Sequence, residues 1–237
     1  MRLLGASGGR AGEVKLRAVV ARGWSTLRRQ GVGRASRRLV RRILSPAVRI
    51  DRLIFFATDL TKPLPPMQAR VPVEIRPASP GDFEVFASVF RSIGLDSGEI
   101  QSRIARGDVA LLALAGGVLV HVLWVTFVAP EVSEVDARLM LGPGEACAYE
   151  GFTLPEWRGH GIDPAVSVAA REYERAQGCT RHIAWAWASN FPSLRTLFKL
   201  SYPTRGIWSL WVLGMRRPVA LGIGRRGSPS LERLPRA

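Results

Sequence analysis

Residues 150–164 read EGFTLPEWRGHGIDP and carry more structural information than any other stretch of the chain. The pattern predicts a strand, a tight turn and then the start of a helix. Gly159 and Gly161 allow backbone angles that other residues avoid and let a ligand approach the backbone. Pro164 suits the first turn of a helix, where its missing N–H costs nothing. Because free N–H groups at a helix start attract phosphate, the stretch predicts a site for a phosphate-bearing ligand.

A second motif, WAWASNFPSLRTLFKLSY, occupies residues 185–202. On its own, the first motif also fits a basic surface turn. Together, the two resemble the GNAT family of acetyl-CoA-dependent acyltransferases, and most closely a bacterial branch whose turn reads Arg-Gly-x-Gly-Ile-x-Pro. The resemblance covers roughly residues 73–214. The residues at matching spacings are Arg158, Gly161, Asn190, Ser193, Lys199 and Leu200.

The resemblance implies an α/β fold of the α+β kind, with a mixed, mostly antiparallel central sheet flanked by helices. Residues 53–58 look like a strand, which we expect at an edge of the sheet. The predicted organisation is a basic amphipathic helical extension over 1–50, a strand and a proline-rich linker over 51–72, the GNAT domain over 73–215, and a basic disordered tail over 216–237.

Residues 109–129 are apolar and long enough to cross a bilayer. Gly116 and Gly117 divide the stretch into two strand-length runs, so we predict a hairpin instead. The other predicted elements are helices over 79–92, 97–106, 164–177 and 192–200, strands over 145–153, 181–188 and 207–213, and a long loop over 130–144.

The resemblance also implies a co-substrate, acetyl-CoA or another acyl-CoA, and no metal. Backbone N–H groups from Gly159 to Asp163 should hold its pyrophosphate, and Asn190 should bind its pantetheine arm. An N–H at Thr153-Leu154 should stabilise the oxyanion of acyl transfer. The full set of expected cofactor-binding residues is Thr153, Leu154, Arg158, Gly159, His160, Gly161, Ile162, Asp163, Asn190 and Ser193.

Three polar residues of the predicted central strand are candidates for moving protons: Glu145, Tyr149 and Glu150. Strand alternation puts Glu145 and Tyr149 on one face and Glu150 on the other. The three therefore cannot serve one site unless the strand contains a bulge. Each of them also fits an ordinary polar position of a strand.

Some positions depart from the family pattern. Asp163 stands where Gly or Ala is usual, and its carboxylate would repel a pyrophosphate unless it points away and caps the helix. Leu197 stands where many members carry the tyrosine that protonates the departing thiolate. Trp185 stands where some members keep a glutamate base. Trp124, Trp185 and Trp187 fit either the wall of an acceptor pocket or ordinary core packing.

The net charge of +15 is concentrated at the two ends. Residues 1–50 hold 13 Arg or Lys and one acid, and residues 216–237 hold six Arg and one Glu. Helical apolar spacing over residues 14–44 predicts a basic amphipathic segment, which fits an anionic membrane surface or docking on the domain. Nucleic acid is a weaker expectation, because no RNA-binding motif accompanies the charge. Cys147 and Cys179 are expected to be core residues without a disulfide.

We therefore expect a cytoplasmic acetyl-CoA-dependent N-acetyltransferase, peripheral to the inner face of the membrane through residues 14–44. Its acceptor is the amine of a small molecule or amino sugar. Two alternatives stay open: a catalytically inactive CoA- or partner-binding protein, and a basic adaptor for membrane or RNA. The sequence leaves the acceptor, the acyl length and the oligomeric state open.

Overall fold

A computed structural model of the protein describes residues 48–212, 217–222 and 230–234. The chain divides into two units by its internal contacts. The larger unit comprises Ile50–Trp211 and Met215–Ala237 and contains the sheets and helices. The smaller unit, Met1–Arg49 with Val212–Gly214, lies almost entirely outside the described residues. The predicted helical segment over residues 14–44 lies outside them completely.

The fold is of the α+β class, as predicted. In chain order, the described strands are β1 (Val48–Asp59), β2 (Glu74–Pro77), β3 (Val109–Ala115), β4 (Val118–Thr126), β5 (Glu131–Val132), β6 (Ala137–Met140), β7 (Glu145–Thr153), β8 (Arg181–Trp187), β9 (Tyr202–Val212), β10 (Val219–Leu221) and β11 (Ser230–Arg233). The described helices are α1 (Asp82–Val85), α2 (Ala87–Ser92), α3 (Ser97–Ala105), α4 (Ile162–Ala176) and α5 (Phe191–Leu200), with short 3-10 turns at Ser133–Val135 and Pro155–Trp157.

The main sheet has eight strands in the order β10-β9-β1-β8-β7-β4-β3-β2. β7 and β8 run parallel, and the other pairings whose register is described in this sheet are antiparallel. A second sheet has three strands in the order β11-β6-β5. The predicted mixed, mostly antiparallel sheet with flanking helices is therefore confirmed.

Strand β1 lies inside the sheet between β9 and β8, so the prediction of an edge strand is wrong. Its register with β8 runs from Leu53↔Trp187 to Asp59↔Arg181. Both faces of β1 are covered, since Leu53, Phe55 and Phe56 are fully buried. A continuous apolar run is what such a strand requires. The larger unit includes residues 50–72.

Residues 60–73 connect β1 to β2, which lie on opposite sides of β7 and β8 in the sheet. This segment contains no helix or strand, in agreement with the predicted proline-rich linker. The Arg175 guanidinium of α4 donates to the carbonyls of Leu60 and Lys62. Near the far end of the segment, the N–H of Arg70 donates to the His160 carbonyl at 2.7 Å. These hydrogen bonds hold the linker against α4 and beside the turn that precedes α4.

Helices cover both faces of the sheet because the strands of the hairpin are apolar on both faces. Leu112 and Trp124 belong to the cluster that contains Phe90 of α2 and Ile100 of α3. Leu111, Ala113, Leu123 and Val125 belong instead to the cluster that contains Ile162 and Val166 of α4. This alternation along β3 and β4 places α1–α3 on one face and α4 on the other.

The predicted hairpin at residues 109–129 is confirmed as β3 and β4, and in the described chain no helix is long and apolar enough to cross a membrane. The helix predicted over 79–92 is broken at Phe86, where φ is −101° and ψ is 18°, into α1 and α2. Cys147 and Cys179 are both buried and unpaired, as predicted.

Two segments are more ordered than predicted. Residues 130–144 form β5, a 3-10 turn and β6 rather than a loop. Residues 216–237 were expected to be disordered, yet β10 pairs with β9 and β11 pairs with β6. The physical reason is burial: Val132, Leu139 and Leu231 join the core cluster that also contains Leu53 and Phe55. These short strands cover the sheet with apolar side chains. The polar and Gly-rich residues around them make the strands difficult to recognise in the sequence.

Candidate active site

The turn before α4 has the geometry that the first motif predicts. Gly159 and Gly161 have φ values of +82° and +74°, which favour glycine, and Pro164 lies in the first turn of the helix. In the described part of the chain, no backbone carbonyl accepts from the N–H groups of residues 159–163. These unpaired N–H groups and the dipole of a 15-residue helix suit an anion such as a phosphate.

The side chains of the turn point in different directions. Arg158 lies back on β7: its Nε donates to the Thr153 carbonyl at 3.2 Å, and its guanidinium lies 5.6 Å from the centre of the Phe152 ring. Ile162 is buried in the core, so only its backbone faces the turn. A Cβ on Gly161 would lie 3.3 Å from the carbonyl oxygen of Gln68. Glycine is thus required here by the linker as well as by its φ.

Asp163 does not cap α4. The N-cap is Gly161, without a side-chain hydrogen bond. The Asp163 carboxylate instead accepts from the Thr196 hydroxyl of α5 at 2.7 Å. Its other oxygen would lie 3.7 Å from a Cβ built on Gly151 of β7. The carboxylate therefore points between α5 and β7 rather than at the turn, which reduces its repulsion of an anion there.

The sheet opens between β7 and β8, and β7 bulges beside the opening. The two strands pair only as far as Ala148↔Ala184, although both continue beyond this point. The register between β7 and β4 shifts near Glu150, whose φ is +49°. In the described sheet, Glu150 and Gly151 have no register partner on β4 or β8. Such a bulge changes the direction of the backbone and of the side chains. A bulge was the condition under which candidate residues from both faces of the strand could serve one site.

The predicted oxyanion donor at Thr153-Leu154 does not fit this geometry. The Leu154 N–H donates to the Val120 carbonyl at 3.0 Å, so it is occupied. The Thr153 hydroxyl is bonded to Nδ1 of His121 at 2.7 Å. The strands separate after Ala148, which is five residues earlier than the prediction assumed. In the described sheet, the positions beside the opening that lack a register partner are Glu150 and Gly151, in the bulge.

Two cavities meet at this gap. We call them the larger cavity, of about 520 Å³, and the smaller cavity, of about 80 Å³. The smaller cavity lies under α4 and α5, whereas the larger cavity is lined by α3 and by the β5–β6 segment. The residues that line both cavities are Tyr149, Glu150, Gly151, Trp185 and Ser193.

The larger cavity has an acidic lining with an aromatic wall. Trp185 and Trp187 of β8 line it, which supports the acceptor-pocket alternative for these two tryptophans. Trp124 is instead fully buried in the core. The charged lining residues are Glu99, Glu131, Glu134, Glu150, Arg106 and Arg138, four acids against two bases. This local charge of −2 contrasts with the net +15 of the chain.

Glu150 is held at the gap by a buried arginine. Its carboxylate accepts from Nη2 of Arg103 at 2.6 Å, while Glu99 accepts from Nε of the same guanidinium at 3.0 Å. Arg103 lies within about 5 Å of the ring centres of Trp124 and Tyr149. Desolvation opposes the charge of Arg103, but the bonds to Glu150 outweigh it and raise the pKa of the guanidinium. The Glu150 side chain itself is 57% exposed and faces the larger cavity.

Tyr149 is bonded to a buried carboxylate that sequence reasoning missed. Its hydroxyl donates to Oδ2 of Asp108 at 2.5 Å, and Arg106 donates to the same oxygen at 2.6 Å. Burial, then the hydrogen bond to Asp108, raises the pKa of Tyr149 well above its usual value. No sequence pattern marks Asp108, since it lies in the short connection between α3 and β3. The pairings of β3 with β4 and of β4 with β7 bring it to Tyr149.

Glu145 is not brought to the same place. It lies at the start of β7, five residues before Glu150, a separation of about 16 Å along a strand. Its carboxylate accepts from Arg181 at 2.7 Å and from the Gly142 N–H at 2.8 Å. These bonds indicate a structural role. Of the three candidates on the strand, only Tyr149 and Glu150 line the cavities.

Buried ionisable groups line the smaller cavity or lie close to it. Arg171 and His182 both line it, and burial lowers the pKa of each, that of Arg171 to about 10. His182 is bonded through Nδ1 to the fully buried Glu174 at 2.7 Å. Burial also lowers the pKa of His121 to about 4, although the charge of Asp163 opposes the shift. Leu197, which carries no hydroxyl, lines the smaller cavity too.

Asn190 and Ser193 begin α5 at the gap. The Asn190 side chain accepts from the Ser193 N–H at 3.4 Å, which is the helix-capping role. Asn190 is exposed and lines the larger cavity, whereas Ser193 lines both cavities. In the described residues, no group of three or more His, Cys, Asp or Glu is arranged to hold a metal ion.

No family model and no curated protein matches the sequence. Among solved structures, a putative acetyltransferase from the GNAT family of Novosphingobium aromaticivorans is 17% identical, with a TM-score of 0.49, 70% of this chain covered and 68% of that one. A GCN5-related N-acetyltransferase from Sphaerobacter thermophilus is 17% identical, with a TM-score of 0.49 and coverage of 78% and 57%.

A functionally unknown conserved protein from Staphylococcus epidermidis is 13% identical, with a TM-score of 0.45 and coverage of 73% and 64%. The chain thus spans less than two thirds of the length of the Staphylococcus and Sphaerobacter proteins. At this distance the likeness assigns no function to the chain.

Proposed function

We propose that this protein transfers an acyl group from the thioester of acetyl-CoA, or another acyl-CoA, to the amine of a small molecule. The observation that carries the proposal is the gap between β7 and β8, where five residues line both cavities. A donor held on one side of the sheet and an acceptor held on the other would meet there. Bringing two reactants together in this way supplies several kcal/mol of the barrier reduction.

The residues present fit an acyl-CoA in two respects. The unpaired N–H groups of residues 159–163 would hold its pyrophosphate, with Arg158 beside them. The gap between β7 and β8 and the space under α4 and α5 would receive the pantetheine arm, within reach of Ser193. The smaller cavity, at about 80 Å³, is small for that arm, so we expect α5 to shift on binding. The bound thioester would supply the activated acyl group.

The chain's own groups would manage charge and protons at the gap. An N–H of the bulge at Glu150-Gly151 would stabilise the oxyanion that forms when the amine attacks. An amine attacks only when it is neutral, and most amines arrive as ammonium ions. The Glu150 carboxylate, exposed to the larger cavity, would take that first proton and pass it to solvent. We leave Glu145 out of this machinery because it is bonded elsewhere.

The lining of the larger cavity favours a cationic amine over an anionic acceptor. Its four carboxylates outnumber its two guanidinium groups, and Arg138 is paired with Glu131. Glu134 accepts from the indole N–H of Trp185 at 3.1 Å, which places a carboxylate beside an aromatic ring. A cation and its carbon skeleton are held well by this combination. The cavity volume of about 520 Å³ is in the usual range for small-molecule sites.

Calorimetric titration with CoA tests the donor side of the proposal. We expect binding by the parent protein and at least a tenfold loss in Arg158→Glu, because a negative charge next to the turn would repel the phosphates. Arg91→Glu is the matched control: it makes the same change of charge on α2, outside both cavities, and should bind normally. Equal losses in the two variants would mean that only net charge matters and would contradict the site.

Turnover is measured by release of free CoA thiol from acetyl-CoA with glucosamine, spermidine and tryptamine as acceptors. Thiol release that depends on an amine supports transfer. CoA binding without release for any amine would favour the alternative of an inactive CoA-binding protein.

We also propose that the protein acts in the cytoplasm at the inner face of the membrane, through residues 14–44. The concentration of 13 Arg or Lys within residues 1–50 supports this. Sedimentation with vesicles of phosphatidylglycerol, compared with vesicles of neutral lipid, tests it. Deletion of residues 1–47 should abolish binding to the anionic vesicles, and unchanged binding would refute the proposal.

A further inference from the structure

Tyr149 lies where the two cavities meet, and a buried carboxylate accepts the hydrogen bond of its hydroxyl. Tyr149 is one of the five residues that line both cavities. Its hydroxyl donates to Oδ2 of Asp108 at 2.5 Å, and the Asp108 side chain has no exposed surface. Oδ1 of Asp108 has no hydrogen-bond partner within the described residues. A buried carboxylate with an unused oxygen is costly, so this arrangement needs a reason.

We propose that Tyr149, backed by Asp108, carries a proton from the attacking nitrogen to the departing sulfur. The inference rests on the acyl transfer proposed above and adds a residue to it. Asp108 touches neither reactant and is a positioning and proton-holding residue. Tyr149 is the group that contacts the reacting atoms.

The proton balance of the transfer requires such a group. An ammonium ion must lose one proton before attack, and this is the proton assigned to Glu150. When the C–N bond forms, the nitrogen becomes positive again and must lose a second proton. When the C–S bond breaks, the sulfur leaves with its electron pair and must gain one. The second proton of the nitrogen is therefore the one that the sulfur needs.

Tyr149 and Asp108 can move this proton without an external acid. The hydroxyl oxygen of Tyr149 accepts the proton from nitrogen while its own proton moves to Oδ2 of Asp108. As the C–S bond breaks, Tyr149 donates its proton to sulfur and recovers one from Asp108. The pair ends in its starting state. This supplies the proton that no side chain at Leu197 can give, since Leu197 carries no hydroxyl.

The surroundings keep Tyr149 protonated at rest. Burial and Asp108 favour the neutral phenol. Arg103, 5.1 Å from the ring centre, and Arg106, 3.4 Å from the hydroxyl, favour the phenolate but do not prevail. The next residue, Glu150, adds a negative charge and is itself paired with Arg103. A neutral phenol that is bonded to a carboxylate can both accept and donate, as the relay requires.

The first test uses kinetics with acetyl-CoA and whichever of glucosamine, spermidine and tryptamine the parent protein uses best. We expect Tyr149→Phe and Asp108→Asn each to lower kcat about 100-fold, within the usual range for acid–base catalysis, and to change KM less than threefold. Tyr173→Phe, at a half-buried tyrosine of α4 that packs against Phe127 and lines neither cavity, is the control and should keep the parent rate. A folded Asp108→Asn protein with the parent kcat and pH profile would overturn the relay.

The second test reads Tyr149 without any turnover. The chain has three tyrosines, so phenolate absorbance at 295 nm resolves them as pH rises. We expect one to titrate later than the others, to vanish in Tyr149→Phe, and to titrate earlier in Asp108→Asn. If Asp108→Asn leaves the late tyrosine unchanged, the pairing is refuted even if that variant has lost activity. A different outcome is that the parent protein acetylates no amine while the tyrosine that titrates last behaves as expected. That result would refute the acyl transfer and the proton relay, but it would leave the hydrogen bond between Tyr149 and Asp108 supported.

Discussion

The turn at residues 158–163 and the larger cavity are assembled in different ways. The turn is six consecutive residues: the positive φ values belong to its two glycines, and the unpaired N–H groups of residues 159–163 follow from the helix start. The larger cavity gathers side chains from α3, the β5–β6 segment, β7, β8 and the start of α5. The phosphate binding that we propose would thus be a local property of the chain, whereas the proposed choice of acceptor would depend on how distant segments pack. The variants below test this division.

The largest effect should come from Glu150→Gln in the larger cavity. Loss of the carboxylate removes the group that deprotonates the ammonium ion, so we expect kcat/KM to fall about 1000-fold. The affinity for CoA, measured by calorimetry, should stay within twofold.

Glu99→Gln is the control for Glu150→Gln, because both carboxylates bind the same guanidinium of Arg103. We expect Glu99→Gln to keep at least a third of the parent kcat. A similar loss in both variants would mean that disturbance of Arg103, rather than proton transfer by Glu150, explains the effect.

The next effect concerns stability beside the smaller cavity, at His121. The pKa of His121 is lowered from 6.5 to about 4 in the folded protein, so the unfolded chain binds more protons between these values. Protonation of His121 therefore favours the unfolded chain as pH falls. The free energy of unfolding is not reduced by this effect above pH 6.5, and it decreases towards pH 4, by about 3 kcal/mol in total. Urea unfolding at pH 7 and pH 4.5 measures this change.

His121→Gln should lose less stability than the parent over the same pH interval, and His160→Gln on the turn should behave like the parent. A parent and His121→Gln with the same pH dependence would show that His121 is not buried in its neutral form.

A smaller effect is expected on the donor side, at Asp163. The carboxylate is bonded to Thr196 rather than to the turn, but its charge remains near the turn that we propose to bind the co-substrate. Asp163→Asn removes that charge and keeps an acceptor for the Thr196 hydroxyl. We expect CoA to bind about threefold more tightly, and less so at high salt because the effect is electrostatic. Weaker binding would instead indicate that the carboxylate contacts the co-substrate directly.

The smallest effect should be that of Glu145→Gln on activity. Glu145 is bonded to Arg181 and to the Gly142 N–H at the far end of β7. We expect kcat and KM within twofold of the parent, with a small loss of thermal stability. A tenfold loss of kcat would place Glu145 back among the catalytic candidates and would contradict the division drawn above.

Much of the fold could be predicted from the sequence, because its signals are local. Gly116-Gly117 marked the hairpin, and the motifs around Gly161 and Asn190 marked the starts of α4 and α5. The interior position of β1 was misjudged because strand order is a property of the whole sheet. Its unbroken apolar run from Leu53 to Ala57 was the available signal.

The site was less predictable, since its geometry depends on a bulge and on pairings between distant residues. Strand alternation predicted opposite faces for Tyr149 and Glu150, and the positive φ of Glu150 brings both to the gap. Asp108 reaches Tyr149 across 41 residues of sequence, and Trp185 reaches Glu134 across 51. No spacing rule connects such residues before the fold is known.

The most direct test of the central claim joins the two reactants. The probe is CoA linked through its sulfur, by an acetyl bridge, to the amine of spermidine, and its affinity is compared with those of CoA and spermidine separately. If donor and acceptor meet at the gap, the linked compound should bind at least 100-fold more tightly than CoA, and Glu150→Gln should reduce that gain. An affinity no better than that of CoA would mean that the two cavities do not form one site.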